Sequence, residues 1–170
     1  MTSGFPNERS RSRYLEVYEE LSDWPVPVTE LAVETSFGTT HVHVCGDGPP
    51  VVLLHGIMVT SLSWRPCVAG LAPHRRVYAP DSLGEPGRSV QTRPMPDAQA
   101  NADSLAEVLD RLGHDRVHLA GVSRGGWLAL KPSCSAGPLS SPNSRTTRGA
   151  SWSTSNAVTP VTRSGRRAAR

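Results

Sequence analysis

Gly121-Val122-Ser123-Arg124-Gly125 places a serine between two glycines in the pattern G-x-S-x-G. A serine hydroxyl in this pattern becomes an exposed nucleophile when a sharp strand-to-helix turn holds its Oγ clear of the chain. The flanks supply that context: Val117-His118-Leu119-Ala120 reads as the strand leading in, and Trp127-Leu128-Ala129-Leu130 as the helix leading out. Glycines on either side let strand and helix approach closely at such a turn. The hydroxyl also needs a histidine to take its proton and an acid to orient that histidine. Beyond Ser123 the sequence contains no Asp, Glu or His.

The upstream histidines do not replace the missing base. His118 lies five residues before Ser123 on the leading strand, roughly 16 Å of extended chain away. His74 and His114 fall in loops beside helices and are expected in solvent. His41 and His43 share one strand face, a spacing that suits a metal, but two exposed histidines are the plainer expectation and no metal site is assigned.

The elements around these residues read as an α/β fold. Residues 9–21 form an amphipathic helix, ended by Trp24-Pro25. Residues 31–35 and 40–44 alternate and face each other across Phe37-Gly38 as a hairpin. Residues 51–54, Val-Val-Leu-Leu, form an apolar run suited to a strand buried on both faces, and His55-Gly56 stops it. A helix over 64–72 and a strand over 76–80 follow. The clearest helix spans 97–112, with Asp97 placed to cap it and Gly113 to end it. The domain reading is a helical segment at 1–24, a partial α/β domain at 25–130 and a tail at 131–170.

Three stretches in order carry a family resemblance: Val51-Val52-Leu53-Leu54-His55-Gly56, then Asp81-Ser82-Leu83-Gly84-Glu85-Pro86-Gly87-Arg88-Ser89, then Gly121 to Gly126. Residues 24–130 resemble the N-terminal half of the α/β-hydrolase family, in its bacterial carboxylesterase-like branch. Two departures stand out: the middle motif is one residue longer between its glycines than the commoner form, and Val122 stands where many relatives have His. The resemblance implies Ser123 as nucleophile, with the backbone N–H groups of Ile57 and Arg124 as the oxyanion hole. It gives His55, Gly56, Gly121 and Gly125 motif-supporting roles and makes Asp81 part of a structural turn. A Ser at 123, where the dehalogenase and epoxide-hydrolase relatives use a carboxylate, implies hydrolysis of esters or related acyl compounds through an acyl-enzyme. In this family the acid and histidine follow the serine along the chain. The implied reaction needs no cofactor, its partner is a small acyl substrate, and oligomeric state is left open.

Composition divides the chain at Leu130. The net charge of +3 combines a segment 131–170 with six Arg, one Lys and no acid, and a first part with eleven basic and fifteen acidic residues. The tail is rich in Ser, Thr, Arg and Pro, keeps no hydrophobic period, and is expected to be disordered. One Lys against seventeen Arg suggests a GC-rich gene, so the tail reads as out-of-frame translation, which leaves a truncated and inactive hydrolase. The strand before Ser123 is then expected to be an exposed edge. Two other readings are a non-catalytic ligand-binding remnant and a basic arm for nucleic acid or anionic surfaces. The arm has only Trp152 as an aromatic, so no nucleic-acid partner is expected. Three cysteines without C-x-x-C spacing indicate neither a disulfide framework nor zinc. The absence of an apolar signal core or membrane span implies a cytoplasmic location.

Overall fold

The computed structural model describes residues 5–130 and the backbone of 156–162. In chain order the elements are α1 (Glu8–Glu20), β1 (Thr29–Thr35), β2 (Gly38–Cys45), β3 (Pro50–Leu54), a 3₁₀ turn (Ser61–Trp64), α2 (Arg65–Leu71), β4 (Arg76–Pro80), β5 (Val90–Gln91), α3 (Ala98–Leu112), β6 (Arg116–Val122), α4 (Arg124–Leu130) and β7 (Asn156–Thr162). They build one mixed sheet in the order β1-β2-β4-β3-β6-β7, with β5 added to β2. β1 and β2 are the predicted antiparallel hairpin, pairing Thr35 with Gly38 at its turn. β4, β3 and β6 are parallel, with Val52 of β3 opposite Tyr78 on one side and Leu119 on the other.

The apolar run in β3 is buried on both faces because successive side chains point to opposite sides of the sheet. Val51 and Leu53 join Val68 of α2, Val77 and, at the margin, Trp24 and Trp64. Val52 and Leu54 join Leu105, Val108 and Leu109 of α3 and Leu128 of α4. The helix caps follow the chemistry expected of them. Asp97 accepts from the Ala100 N–H, and Gly113 closes α3 in the left-handed region at φ 75°.

Two elements depart from expectation. Val90–Gln91 forms a short strand against Gly38 and Thr39, too brief to carry a period. In the stretch read as a structureless tail, Asn156–Thr162 pairs antiparallel with the whole of β6, from Arg116↔Thr162 to Val122↔Asn156. The predicted bare edge of β6 is therefore covered, because its unpaired N–H and C=O groups gain a ladder. Pro160 has no N–H to donate, and β7 ends the sheet among the described residues, the kind of strand in which proline is tolerated. The rest of the predicted tail lies outside the described residues.

Candidate active site

The parallel strands place the candidate nucleophile. From β3 the chain passes to α2 on one face of the sheet, whereas from β6 it passes to α4 on the other. Connections leaving neighbouring strands to opposite faces open a crevice at the strands' carboxyl ends, the usual ligand position in such sheets. His55-Gly56 and Ser123 occupy these two ends.

Ser123 has φ 53°, one of two non-glycine residues in the left-handed region among the described residues; the other is Met58 at 60°. Such backbone costs on the order of 1–3 kcal/mol and persists only where the surroundings impose it. The surroundings here are two close approaches. A Cβ on Gly121 would stand 2.3 Å from the Gly125 carbonyl carbon, and a Cβ on Gly125 would stand 2.0 Å from the Leu54 carbonyl oxygen. Bare glycines at 121 and 125 thus let α4 sit against the end of β3, and the Trp127 N–H closes the turn onto the Ser123 carbonyl at 3.0 Å.

The loop after β3 approaches from the other side, and a Cβ on Gly56 would lie 3.7 Å from Ser123 Cβ. His55 anchors that loop from beneath. It is fully buried; its Nε2 accepts the Ser82 N–H at 2.9 Å. Nδ1 therefore carries the proton and donates to the Gly56 carbonyl at 2.8 Å. Burial pushes the imidazole below its usual range, against the partial opposition of the Gly56 carbonyl. With both nitrogens engaged, His55 shapes the loop and is not a base for Ser123. Among the described residues no side chain forms a hydrogen bond with Ser123 Oγ.

Glu85, which sequence reasoning passed over, joins the two loops. Its Oε2 accepts the Met58 N–H at 2.8 Å, and its Oε1 lies 3.4 Å from Arg124 Nε. Arg124 reaches on to Asn101 Oδ1 at 2.7 Å. The two residues expected to supply oxyanion donors, Ile57 and Arg124, are thus held through one carboxylate, directly for Arg124 and through Met58 for Ile57. The middle motif held this signal, since an acid between its glycines faces both loops. Beside Ser123, a cavity of about 350 Å³ is lined by Ile57, Val59, Trp64 and Val122 together with His55, Gly56 and Ser63. Its size falls within the range of small-molecule pockets and its walls are largely apolar.

Asp81 is the structural turn residue anticipated. Fully buried, it accepts from the Ser61 N–H at 2.9 Å, the Arg88 N–H at 2.8 Å and the Tyr18 hydroxyl at 2.9 Å. Burial alone would raise its pKa, but His41, the Arg88 N–H and Ser61 outweigh it and hold the carboxyl at about 2. Gly87, at φ 141°, is required there because a Cβ would stand 2.4 Å from the Asp81 carboxyl carbon.

The expectation of solvated histidines is corrected at three positions. His43 is 2 % exposed and the His41 side chain 12 %, because α1 and the segment containing Trp24 fold over that face of β2. Trp24 lies 4.7 Å from the His43 ring. His114 is half-buried and bonded to the Tyr78 hydroxyl at 2.6 Å, whereas His74 is exposed as expected. Among the described residues no helix is long and apolar enough to cross a membrane.

Comparison with known proteins agrees with this fold. The model of the alpha/beta hydrolase family matches residues 51–170. The uncharacterized carboxylesterase nap of Bacillus subtilis is 38 % identical over 117 residues, which are 67 % of this chain and 39 % of that protein. Carboxylesterase YbfK of the same organism is 35 % identical over 125 residues, 72 % of this chain and 42 % of that protein. The crystal structure of naproxen esterase from Bacillus subtilis superposes with a TM-score of 0.69 at 35 % identity, covering 73 % of this chain and 44 % of the other. The chain thus spans about two fifths of the length of the curated relatives it matches. With its mixed sheet flanked by helices, the chain belongs to the alpha/beta hydrolase family.

Proposed function

We propose that this chain carries the nucleophile half of a carboxylesterase-like serine hydrolase. Ser123 Oγ attacks the carbonyl carbon of an ester, and the N–H groups of Ile57 and Arg124 take up the charge on its oxygen. The alkoxide leaves with a proton, and water releases the acyl group from Ser123. The observation that carries this reading is the left-handed Ser123 at φ 53°, wedged between two obligatory glycines and facing the His55-Gly56 loop. The apolar walls of the adjoining cavity favour esters with an apolar group on one side of the bond. Carboxylesterase activity among the relatives supports the same substrate class.

The proton acceptor is the missing part. No Asp, Glu or His follows Ser123 in the sequence, and His55 has both nitrogens committed. We propose that the chain by itself is inactive in ester turnover beyond what oxyanion stabilisation alone provides, and that residues from about 131 onward derive from a shifted reading frame. Sequencing the coding DNA and translating its other frames past codon 130 tests the second point. An Asp followed by a His within strand and helix patterns is expected.

A fluorophosphonate probe with mass-spectrometric site mapping tests the first. Slow labelling at Ser123, rising with pH without a plateau near neutrality, is expected, and Ser123→Ala abolishes it. A folded chain that never labels at Ser123 refutes the positioned nucleophile. Fast labelling with a plateau near pH 7 refutes the missing base.

A further inference from the structure

The buried histidines of β2 play no part in the chemistry at Ser123, and their hydrogen bonding is incomplete. His43 Nε2 lies 2.9 Å from the Tyr18 hydroxyl. That hydroxyl gives its single proton to Asp81 Oδ2 at 2.9 Å, so toward His43 it can only accept. Nε2 of His43 therefore carries a proton, and Nδ1 presents a bare lone pair. Nδ1 is buried without a hydrogen-bond partner among the described residues, 3.9 Å from Glu30 Oε1. A buried imidazole lone pair beside a part-exposed carboxylate forms a donor pair that a cation can bridge. His41 stands beside them, with Nε2 3.2 Å from Glu30 Oε2 and Nδ1 3.8 Å from Asp81 Oδ2. Neither of its ring nitrogens makes a directed hydrogen bond among the described residues.

We propose that Glu30, His41 and His43 bind a single divalent transition-metal ion of the zinc type, through His41 Nε2, His43 Nδ1 and a Glu30 carboxylate oxygen. One donor atom from each residue lies within 4.8 Å of the others. Metal–ligand bonds of about 2.0–2.1 Å in a tetrahedral site put donors roughly 3.4 Å apart, so side-chain rotations of about an ångström complete the set. Two imidazoles and a carboxylate form a ligand set that zinc favours, with a fourth position left for water.

The outer contacts fit the same assignment. A ligating histidine normally gives its other N–H to a fixed acceptor. His43 does so through Tyr18 to Asp81, and His41 Nδ1 faces Asp81 directly. A cavity of about 320 Å³ lined by Glu19, Ser22, Trp24, Glu30 and His43 gives an ion its route in. The competitor is Arg88, whose Nη1 lies 3.1 Å from both Glu30 oxygens and 2.7 Å from Glu19 Oε1. Arg88 keeps Glu19 as a partner when Glu30 turns to the metal. None of the three ligands lines the Ser123 cavity, so the site is separate from the proposed ester chemistry. A bound ion would join β1 and β2 directly and α1 through Tyr18.

The test uses the full chain carrying Cys67→Ser, because Cys67 is an exposed thiol that can bind metal adventitiously. After dialysis against a chelator, it is titrated with Co(II) and then Zn(II). One equivalent of Co(II) is expected to give the visible bands of four-coordinate cobalt, displaced by Zn(II), with a Tm that rises as Zn(II) is added. Glu30→Gln and His41→Gln each lower the affinity at least tenfold, Arg88→Gln raises it, and His74→Gln leaves it unchanged. Glu30 is part-exposed, so Glu30→Gln keeps the fold and isolates the ligand. Undiminished binding in Glu30→Gln and His41→Gln overturns the proposal. So does the absence of saturable binding, or a proton on His43 Nδ1 that persists by NMR in the presence of Zn(II).

Discussion

Substituting alanine at Gly125 tests the claim that the Ser123 turn is imposed by close backbone contact. The added methyl would lie 2.0 Å from the Leu54 carbonyl oxygen, 2.5 Å from its carbonyl carbon and 2.6 Å from the His55 carbonyl oxygen. All three are main-chain atoms, and Leu54 is tied into the ladder with β6 opposite Gly121, so no flexible side chain can yield. Relief requires α4 to back away by about 1 Å or more, which uncovers Leu128 and Ala129 in the core. Overpacking a well-packed site costs about 1–3 kcal/mol, and an obstruction made of backbone belongs at the upper end. At about 2–4 °C per kcal/mol for a chain of this size, a 3 kcal/mol loss lowers Tm by about 6–12 °C. Gly70 is the internal control. It sits inside α2, and a methyl there would meet nothing within 4 Å, so Gly70→Ala should stabilise by about 0.5–1 kcal/mol through helix propensity. Urea unfolding at constant m-value reads both, with fluorophosphonate labelling as the second channel. A Gly125→Ala variant within about 0.5 kcal/mol of the parent, labelling at the parental rate, would mean that the Ser123 turn does not depend on the close approach of Gly125 to Leu54.

Other substitutions separate the remaining contributions. Glu85→Ala removes the carboxylate shared by the Met58 N–H and Arg124. Labelling of Ser123 should fall about tenfold, short of the 10²–10³ lost with an oxyanion donor itself, as probe kinetics will show. Asp81 has a folded pKa of about 2 against an ordinary 3.8, so the unfolded state takes up the proton first as the solution is acidified. The stability this shift contributes, about 2 kcal/mol, is complete above about pH 4 and is lost as pH falls toward 2. Urea midpoints between pH 6 and 2 should therefore fall more steeply for the parent than for Asp81→Asn. Gly113→Ala meets no atom within 4 Å but keeps φ 75°, so unfolding should show a loss of about 1 kcal/mol from backbone strain alone.

What the sequence made legible was whatever is encoded locally. The β3 run, the Asp97 and Gly113 caps, the β1–β2 hairpin and the Ser123 turn each declare themselves within ten or fifteen residues, and the structure places them where the pattern does. The burial of His41 and His43 was not legible, because it depends on α1 and Trp24 returning over β2 from outside the strand. An alternating strand shows which residues share a face and does not show what covers that face. The pairing of β7 with β6 was hidden for a related reason. Residues 156–162 carry β-branched side chains but sit in Ser- and Arg-rich sequence, and what selects them is the unsatisfied edge of β6, more than thirty residues earlier.

The same division between local and distant explains how the proposed nucleophile, Ser123, can be placed without the base that the proposal leaves missing. Strain at Ser123 is held by Gly121, Gly125 and the end of β3, all within one β–turn–α unit and its neighbouring strand. Glu85, from the loop after β4, holds the Met58 N–H and the Arg124 side chain, next to the two N–H groups proposed as oxyanion donors. None of these contacts involves a residue beyond Leu130, although β7 pairs with β6 as far as Gly121 and Val122, beside the turn. Proton transfer is different. It needs a titratable side chain brought to Oγ, and among the described residues the one histidine lining the cavity, His55, has both nitrogens committed to holding the loop. Supplying imidazole to the full chain separates the two requirements. A preorganised Ser123 should gain in labelling rate with imidazole concentration, while Gly125→Ala should respond only weakly because its serine is displaced. Equal responses from both would mean that the strained turn contributes nothing to the reactivity of Ser123.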